Sequence, residues 1–329
     1  GYFVDTTSAA ITVTLPASPS AGDIVAVVDY AGTSETNNIT IARNSSNING
    51  GTDNLTINRE NAGIILVYVD ATQGWKGTES MNLNDITLQP SYIAATGGTV
   101  TTCGNYKIHT FTSPGTFCVS CGGNSAGSNT VSYMVVAGGG GAGSNQGGNG
   151  NSKGGGGAGG YREGKASSDC YTASPLNAPA GLPVTAQAYP ITVGGGGAGG
   201  PYGSNTPGSS GNNSIFSTIT SAGGGFGAAG GGTAGGTGGS GGGYSSGPPG
   251  GLTSAGNTPP VSPPQGNPSG VNGSCGQFGG GGGGAGEAGN TDGVSAGGDG
   301  VASSINGTPT TRAGGGGGGQ FGSYSPWSG

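Results

Sequence analysis

The chain has 329 residues, of which 83 are glycine, against a usual share of roughly 7 %. Only 7 % of its residues are charged and the net charge is −6. Its few lysines and arginines are scattered, so the concentrated basic face that a phosphate backbone requires is missing and nucleic acid is excluded as a partner. No apolar run reaches the about 18 residues that a membrane-spanning helix needs, so no membrane span is expected.

Low charge also argues against a solvating disordered tail. The glycines are gathered into blocks separated by short β-branched stretches. Residues 1–78 read as a β-module: ITVTL (11–15) alternates apolar and polar with a period of two, as a half-buried strand does. DIVAVVDY (23–30), NITIA (38–42), NLTI (54–57) and GIILVYVD (63–70) are further strands, divided by turn clusters rich in Gly, Asn, Ser and Asp. Five or six short strands at this spacing predict a small sandwich or prism-like β-domain. Residues 79–102 read as a connector.

Residues 103–329 form the glycine-rich domain, opened by the strands NYKIHTF (105–111), GTFCVS (115–120) and NTVSYMVVA (129–137). A strand-forming stretch then runs into a glycine block four times: after 129–137, within YPITVGGGGAGG (189–200), within SIFSTITSAGGG (214–225), and within SSINGTPTTRAGGGGGG (303–319). Helix is excluded by glycine, which costs about 1 kcal/mol per residue against alanine in a helix interior, and by the absence of a 3.6-residue apolar stripe. The fold class is therefore all-β plus polyglycine helices, with no α-helix.

A glycine block has three readings. A flexible linker has this composition, but linkers need no punctuation by chemically varied loops. A phosphate loop needs a strand, GxGxxG and helix in succession, and no helix follows. The third reading is a bundle of extended left-handed helices of the polyproline II type, three residues per turn and about 3.1 Å rise. Such a helix makes no internal hydrogen bonds, so its neighbours must supply partners, and only glycine lets backbones come that close. The blocks at 137–143, 154–160, 194–200, 223–232, 234–243, 279–286 and 314–319 are of similar length, as stacked rods require. Gly196, in mid-block, is expected to reject a side chain, and Tyr161-Arg162-Glu163 to mark the exit of a rod into a loop.

Catalysis finds little support. His109 is the single histidine and reads as an exposed strand residue, so a Ser-His-Asp triad has nothing to build on. Glu163, Asp169, Glu287, Asp292 and Asp299 are sparse and read as solvated loop carboxylates. No enzymatic activity, cofactor or metal is expected. Cys118 and Cys121 form a CxxC without a second ligand pair; an oxidising medium would allow one bridge, Cys103 to Cys118 or to Cys121. Sequons stand at Asn38, Asn44, Asn54, Asn212, Asn272 and Asn306. The inter-block loops, first 201–213 and 244–272, are the expected recognition surface, with Tyr202, Asn205, Tyr244, Phe278, Tyr324 and Trp327 as candidates to stack on or hydrogen-bond a glycan.

The stretches NYKIHTFTSPGTFCVS, NTVSYMVVAGGGGAG, GGGGAGGYREGK, YPITVGGGGAGG and SSINGTPTTRAGGGGGG resemble the glycine-rich domain of bacteriophage tail-fibre adhesins, over about residues 90–329. The opening segment is similar to a β-module of the same fibres. The resemblance implies an extracellular, virion-borne, homotrimeric fibre. It would bind a host surface polysaccharide or outer-membrane protein and would assemble with other virion subunits. A secreted, glycosylated microbial surface filament is the alternative from a different class, with other filament subunits as partners.

Overall fold

Alternation in the first module is realised directly: Ile24–Asp29 and Gly63–Asp70 turn every second side chain inward, as the pleat demands. The computed structural model describes residues 1–80, 86–146, 152–245, 252–271 and 278–319. Among these there is no α-helix, and no helix long and apolar enough to cross a membrane. The chain divides into two compact units, residues 1–93 with 121–129, and residues 94–120 with 130–329.

The first unit contains β1 (Tyr2–Val4), β2 (Ile11–Thr14), β3 (Ile24–Asp29), β4 (Ile39–Ala42), β5 (Leu55–Ile57), β6 (Gly63–Asp70), β7 (Gly74–Ser80) and β8 (Ile86–Leu88). They form two four-stranded sheets, β1-β3-β6-β7 and β2-β4-β5-β8. β1 runs parallel to β3 and β2 parallel to β4, and the remaining pairings are antiparallel. Val25, Val27, Ile64, Leu66 and Trp75 from one sheet and Val13, Ile39, Ile41, Leu55 and Ile57 from the other make one core, so the module is a sandwich. Trp75 is fully buried and meets Tyr68 edge-to-face with ring centroids 5.5 Å apart. β1, β7 and β8 were not foreseen, because YFV is too short to show a period and GWKGTES carries turn residues.

Asp29 ends β3 and ties the loops together. Its carboxylate accepts N–H bonds from Gly32 (3.2 Å), Ser34 (3.2 Å) and Asn61 (3.1 Å). Burial alone pushes this carboxyl upward, but the donors from Ser34, Asn61 and Thr33 outweigh it and hold it below the usual carboxylate range. Cys118 and Cys121 are free, as is Cys103, so the expected bridge is not formed. Cys118 and Cys121 share one strand, β12 below, three positions apart, and therefore project from opposite faces.

The remaining strands, which fall in the second unit except for Ile93 of β9 and residues 121–122 of β12, are β9 (Ile93–Thr96), β10 (Thr99–Cys103), β11 (Tyr106–Thr110), β12 (Gly115–Gly122), β13 (Thr130–Val131), β14 (Tyr133–Val136), β15 (Tyr161–Gly164), β16 (Asn177–Ala178), β17 (Leu182–Pro183), β18 (Ala188–Thr192), β19 (Ser214–Phe216), β20 (Ile219–Ser221), β21 (Val301–Ser303) and β22 (Thr310–Arg312). β8 and β9 fall within 79–102, and β10 begins there. The largest sheet has the order β20-β19-β18-β12-β9 and carries Phe117, Tyr189 and Phe216 in mutual ring contact. His109 is half-buried rather than exposed: its Nδ1 lies 2.8 Å from the Gly97 carbonyl and its ring meets Phe117 edge-on.

From the ends of β14, β18, β20 and β22 the chain passes straight into glycine, as the four junctions in the sequence require. The glycine segments pair through their backbones with a period of three. Ala137, Gly140 and Gly143 donate to the carbonyls of Gly160, Gly157 and Gly154. Gly138, Gly141 and Ser144 donate to Asn212, Ser209 and Thr206. Gly154, Gly157 and Gly160 donate in turn to Ala228, Gly225 and Ala222. Partners three apart, all of them on other segments, define the polyglycine II helix.

The segment 279–286 shows how complete this packing becomes. It bonds to six neighbours: 241–244, 155–158, 267–270, 287–290, 298–299 and 313–319. Segment 154–160 bonds to five, namely 137–143, 222–228, 240–243, 280–283 and Gly316. A Cβ on Gly156 would penetrate the Gly140 carbonyl, and one on Gly154 the Gly243 carbonyl, so glycine is compulsory at these positions, while Ala158 and Ala285 fill buried positions of the same segments where a methyl group fits.

Residues 206–212, expected as loop, are a rod of the bundle, as are 265–270. Tyr161-Arg162-Glu163 do not enter a loop: they form β15, paired with β14, with Tyr161 and Glu163 buried.

Candidate functional site

Consecutive rods run up and down, so the hydrogen-bond register fixes which connections share an end. Rod 137–144 leaves β14 and finishes beside Thr206, and rod 154–160 begins there and returns to β15. Phe278 precedes Gly279, which bonds to Gly319, which in turn bonds to Lys153. The carbonyl of Tyr244 accepts from Gly280, whose own carbonyl accepts from Gly155. Tyr202, Asn205, Tyr244 and Phe278 therefore lie at one end of the bundle, away from β14 and β15.

Tyr202 is the prominent member. It occupies the second position of the turn Pro201–Ser204, closed by Ser204 N–H to the Pro201 carbonyl at 3.3 Å. Gly203 follows with φ +76 and open space around its missing Cβ, so glycine is there for the left-handed conformation that a type II turn needs at this position. The ring of Tyr202 is fully exposed, and Asn205 is exposed beside it.

The turn is anchored by Ser144, a buried residue at the tip of rod 137–144. Its Oγ donates to the Ser204 carbonyl at 2.8 Å and lies 3.1 Å from the Thr206 carbonyl, and it accepts from the Thr206 N–H at 3.3 Å. Ser204 Oγ donates to the Pro201 carbonyl at 2.7 Å. Nothing in the sequence marked Ser144 as the support of a loop about 60 residues away; only the rod register brings them together.

Tyr244 and Phe278 are half-buried, which leaves less of each ring for a ligand. Tyr324, Trp327 and Asn272 lie outside the described residues. Of the remaining sequons, Asn38, Asn212 and Asn306 are exposed. Asn44 is exposed too, but its side-chain nitrogen donates to the Leu15 carbonyl at 2.8 Å. Asn54 is half-buried and its Oδ1 accepts from Arg43 N–H.

Two groups of carboxylates stand apart from this end loop. Glu287, Asp292 and Asp299, expected as separate solvated carboxylates, bring their ligand atoms within 4.8 Å of one another. Glu163 is buried among Tyr161, Ser174 and Ser303. Burial alone raises it, but donation from Ser174, Ser303 and Tyr161 outweighs that and holds it below the ordinary range. Burial likewise raises the phenol of Tyr161 well above its usual value.

Sandwich, small sheets and hydrogen-bonded glycine rods together define an all-β glycine-rich protein. Residues 110–329 match the family model described as a glycine-rich domain, and the chain belongs to that family. A comparison with curated proteins finds no match.

Proposed function

We propose that this chain is a structural and receptor-binding part of a phage tail fibre, an extracellular adhesin that attaches to a host surface glycan or outer-membrane protein. The observation that carries this reading is the gathering of Tyr202, Asn205, Tyr244 and Phe278 at one end of a bundle whose interior rods are cross-bonded on all sides. A rigid scaffold that displays exposed loop residues at its tip is the usual arrangement of a binding surface. A fully exposed tyrosine supplies an apolar face with a polar edge, suited to a sugar ring, and Asn205 supplies both donor and acceptor. The resemblance to tail-fibre adhesins points the same way.

The proposed role is binding without turnover. The Nδ1 of His109 faces the Gly97 carbonyl, and the ring packs on Phe117. The test is retention of the labelled full chain on intact bacterial cells and on arrayed surface glycans, with and without Tyr202→Ala. Retention lost in the variant supports the reading; retention equal in both, or no retention of the unaltered chain on any surface, contradicts it.

A further inference from the structure

Most interior glycines are compulsory, because a Cβ would enter a neighbouring backbone. A few are not. On rod 194–200 a Cβ at Gly195, Gly196 or Gly199 would find nothing nearer than 3.9, 3.6 and 3.7 Å. On rod 313–319 a Cβ at Gly314 or Gly317 would find nothing nearer than 3.8 and 3.4 Å. None of the five has a positive φ. Packing and backbone conformation within one copy leave them unexplained, although each costs chain entropy.

The same edges carry unpartnered backbone groups at matching intervals. Rod 194–200 lies beside rod 137–144, with Gly197 and Gly200 donating to Gly139 and Ala142. Along the groove between these rods, the N–H groups of Gly139 and Ala142 and the carbonyls of Gly197 and Gly200 have no partner among the described residues. Each pair is three residues apart. The Cβ directions of Gly196 and Gly199 lie beside the Gly139 and Ala142 carbonyls. On rod 313–319 the N–H groups of Gly314 and Gly317, and the carbonyls of Gly314, Gly315, Gly317 and Gly318, are also without partners among the described residues. Those groups again recur every third residue.

We propose that rod 313–319 of a second copy of this chain seats in the groove between rods 137–144 and 194–200. Its Gly314 and Gly317 N–H groups donate to the carbonyls of Gly197 and Gly200. Its free carbonyls accept from Gly139 and Ala142. Rod 194–200 has seven residues and the extended part of the seated rod, 314–319, has six, since Ala313 has φ +61, so both span roughly 20 Å at this rise. The absent side chains at Gly196, Gly199, Gly314 and Gly317 are then required by the partner, as the interior glycines are required within one copy. Two different surfaces meet, so the contact is heterologous and propagates head to tail or closes a ring. Open polyglycine edges behave here as unpaired β-edges do, as templates for another backbone.

Sedimentation of the full chain over a range of concentrations tests this, with Gly196→Val and Gly314→Val as blocked groove and blocked rod. The unaltered chain should self-associate. Each variant should keep the native circular dichroism and thermal midpoint but dissociate at least tenfold more readily. Mixed together, the two should form a dimer and nothing larger, because one intact groove and one intact rod remain. Should valine disturb folding, Gly196→Ala and Gly314→Ala carry the same expectation. Amide exchange at Gly139 and Ala142 should slow at least tenfold on association. A chain that stays monomeric overturns the proposal, as does self-association indifferent to both variants or slow exchange at Gly139 and Ala142 in the monomer, which would place the chain's own segment in the groove.

Discussion

Ser303 donates its hydroxyl to Glu163 at 2.7 Å across 140 residues of sequence. The bond joins β15, where a central rod ends, to β21 of the hairpin that feeds the rod 313–319. Ser174 N–H (2.9 Å) and Tyr161 Oη (2.8 Å) complete the shell around the carboxylate. A buried charge is tolerated only when its acceptor sites are filled, and here they are.

Glu163→Gln should therefore destabilise the glycine-rich domain by about 2 kcal/mol at neutral pH, since hydrogen bonds to a charged group are among the stronger ones. The folded-state pKa is lowered, so the stability from this group is fully present above the ordinary glutamate value of 4.5. It is lost as pH falls through the lower folded-state value. Thermal unfolding at pH values descending from 7 should show the unaltered chain losing stability more steeply below pH 4.5 than the variant does.

Glycine substitutions should sort by position within the bundle rather than by position within a block. Gly156→Val should cost more than about 3 kcal/mol, because its Cβ would enter the Gly140 carbonyl on a rod held from several sides. Gly196→Val, expected from mid-block position to be disruptive, should leave the stability of one copy within about 0.5 kcal/mol, its Cβ lying 3.6 Å from the nearest atom. Denaturant unfolding of dilute protein distinguishes them, and equal effects would contradict the packing described.

At the exposed end, Tyr202→Ala should leave the unfolding midpoint unchanged, since the ring touches nothing that holds the fold. Ser144→Ala should behave differently. It removes the support of the Pro201–Ser204 turn, costs about 1–2 kcal/mol, and weakens retention on cells less than Tyr202→Ala does.

The alternation of DIVAVVDY and GIILVYVD and the four strand-to-glycine junctions made the sandwich and the entry into each block legible in the sequence. Rod 206–212 was not, because a rod at the edge of the bundle needs glycine only where it faces a neighbour. In TPGSSGN that is every third residue: a Cβ at Gly208 would enter the Gly141 carbonyl and one at Gly211 the Gly138 carbonyl. Thr206, Ser209 and Ser210 are exposed. A GxxG period was the missed signal. The end loop was legible as candidates, and its support by Ser144 was not, because that depends on the register of rods distant in sequence. The placement of Cys118 and Cys121 on opposite faces of β12 was concealed by their CxxC spacing.

Site-resolved amide exchange decides whether the glycine blocks are cross-bonded rods. Rod 279–286 should exchange slowly throughout, since every amide in it donates. Rod 194–200 should show a period of three, slow at Gly194, Gly197 and Gly200 and fast at Gly195, Gly196, Ala198 and Gly199. Uniformly fast exchange across both segments, as in a flexible linker, would contradict the account.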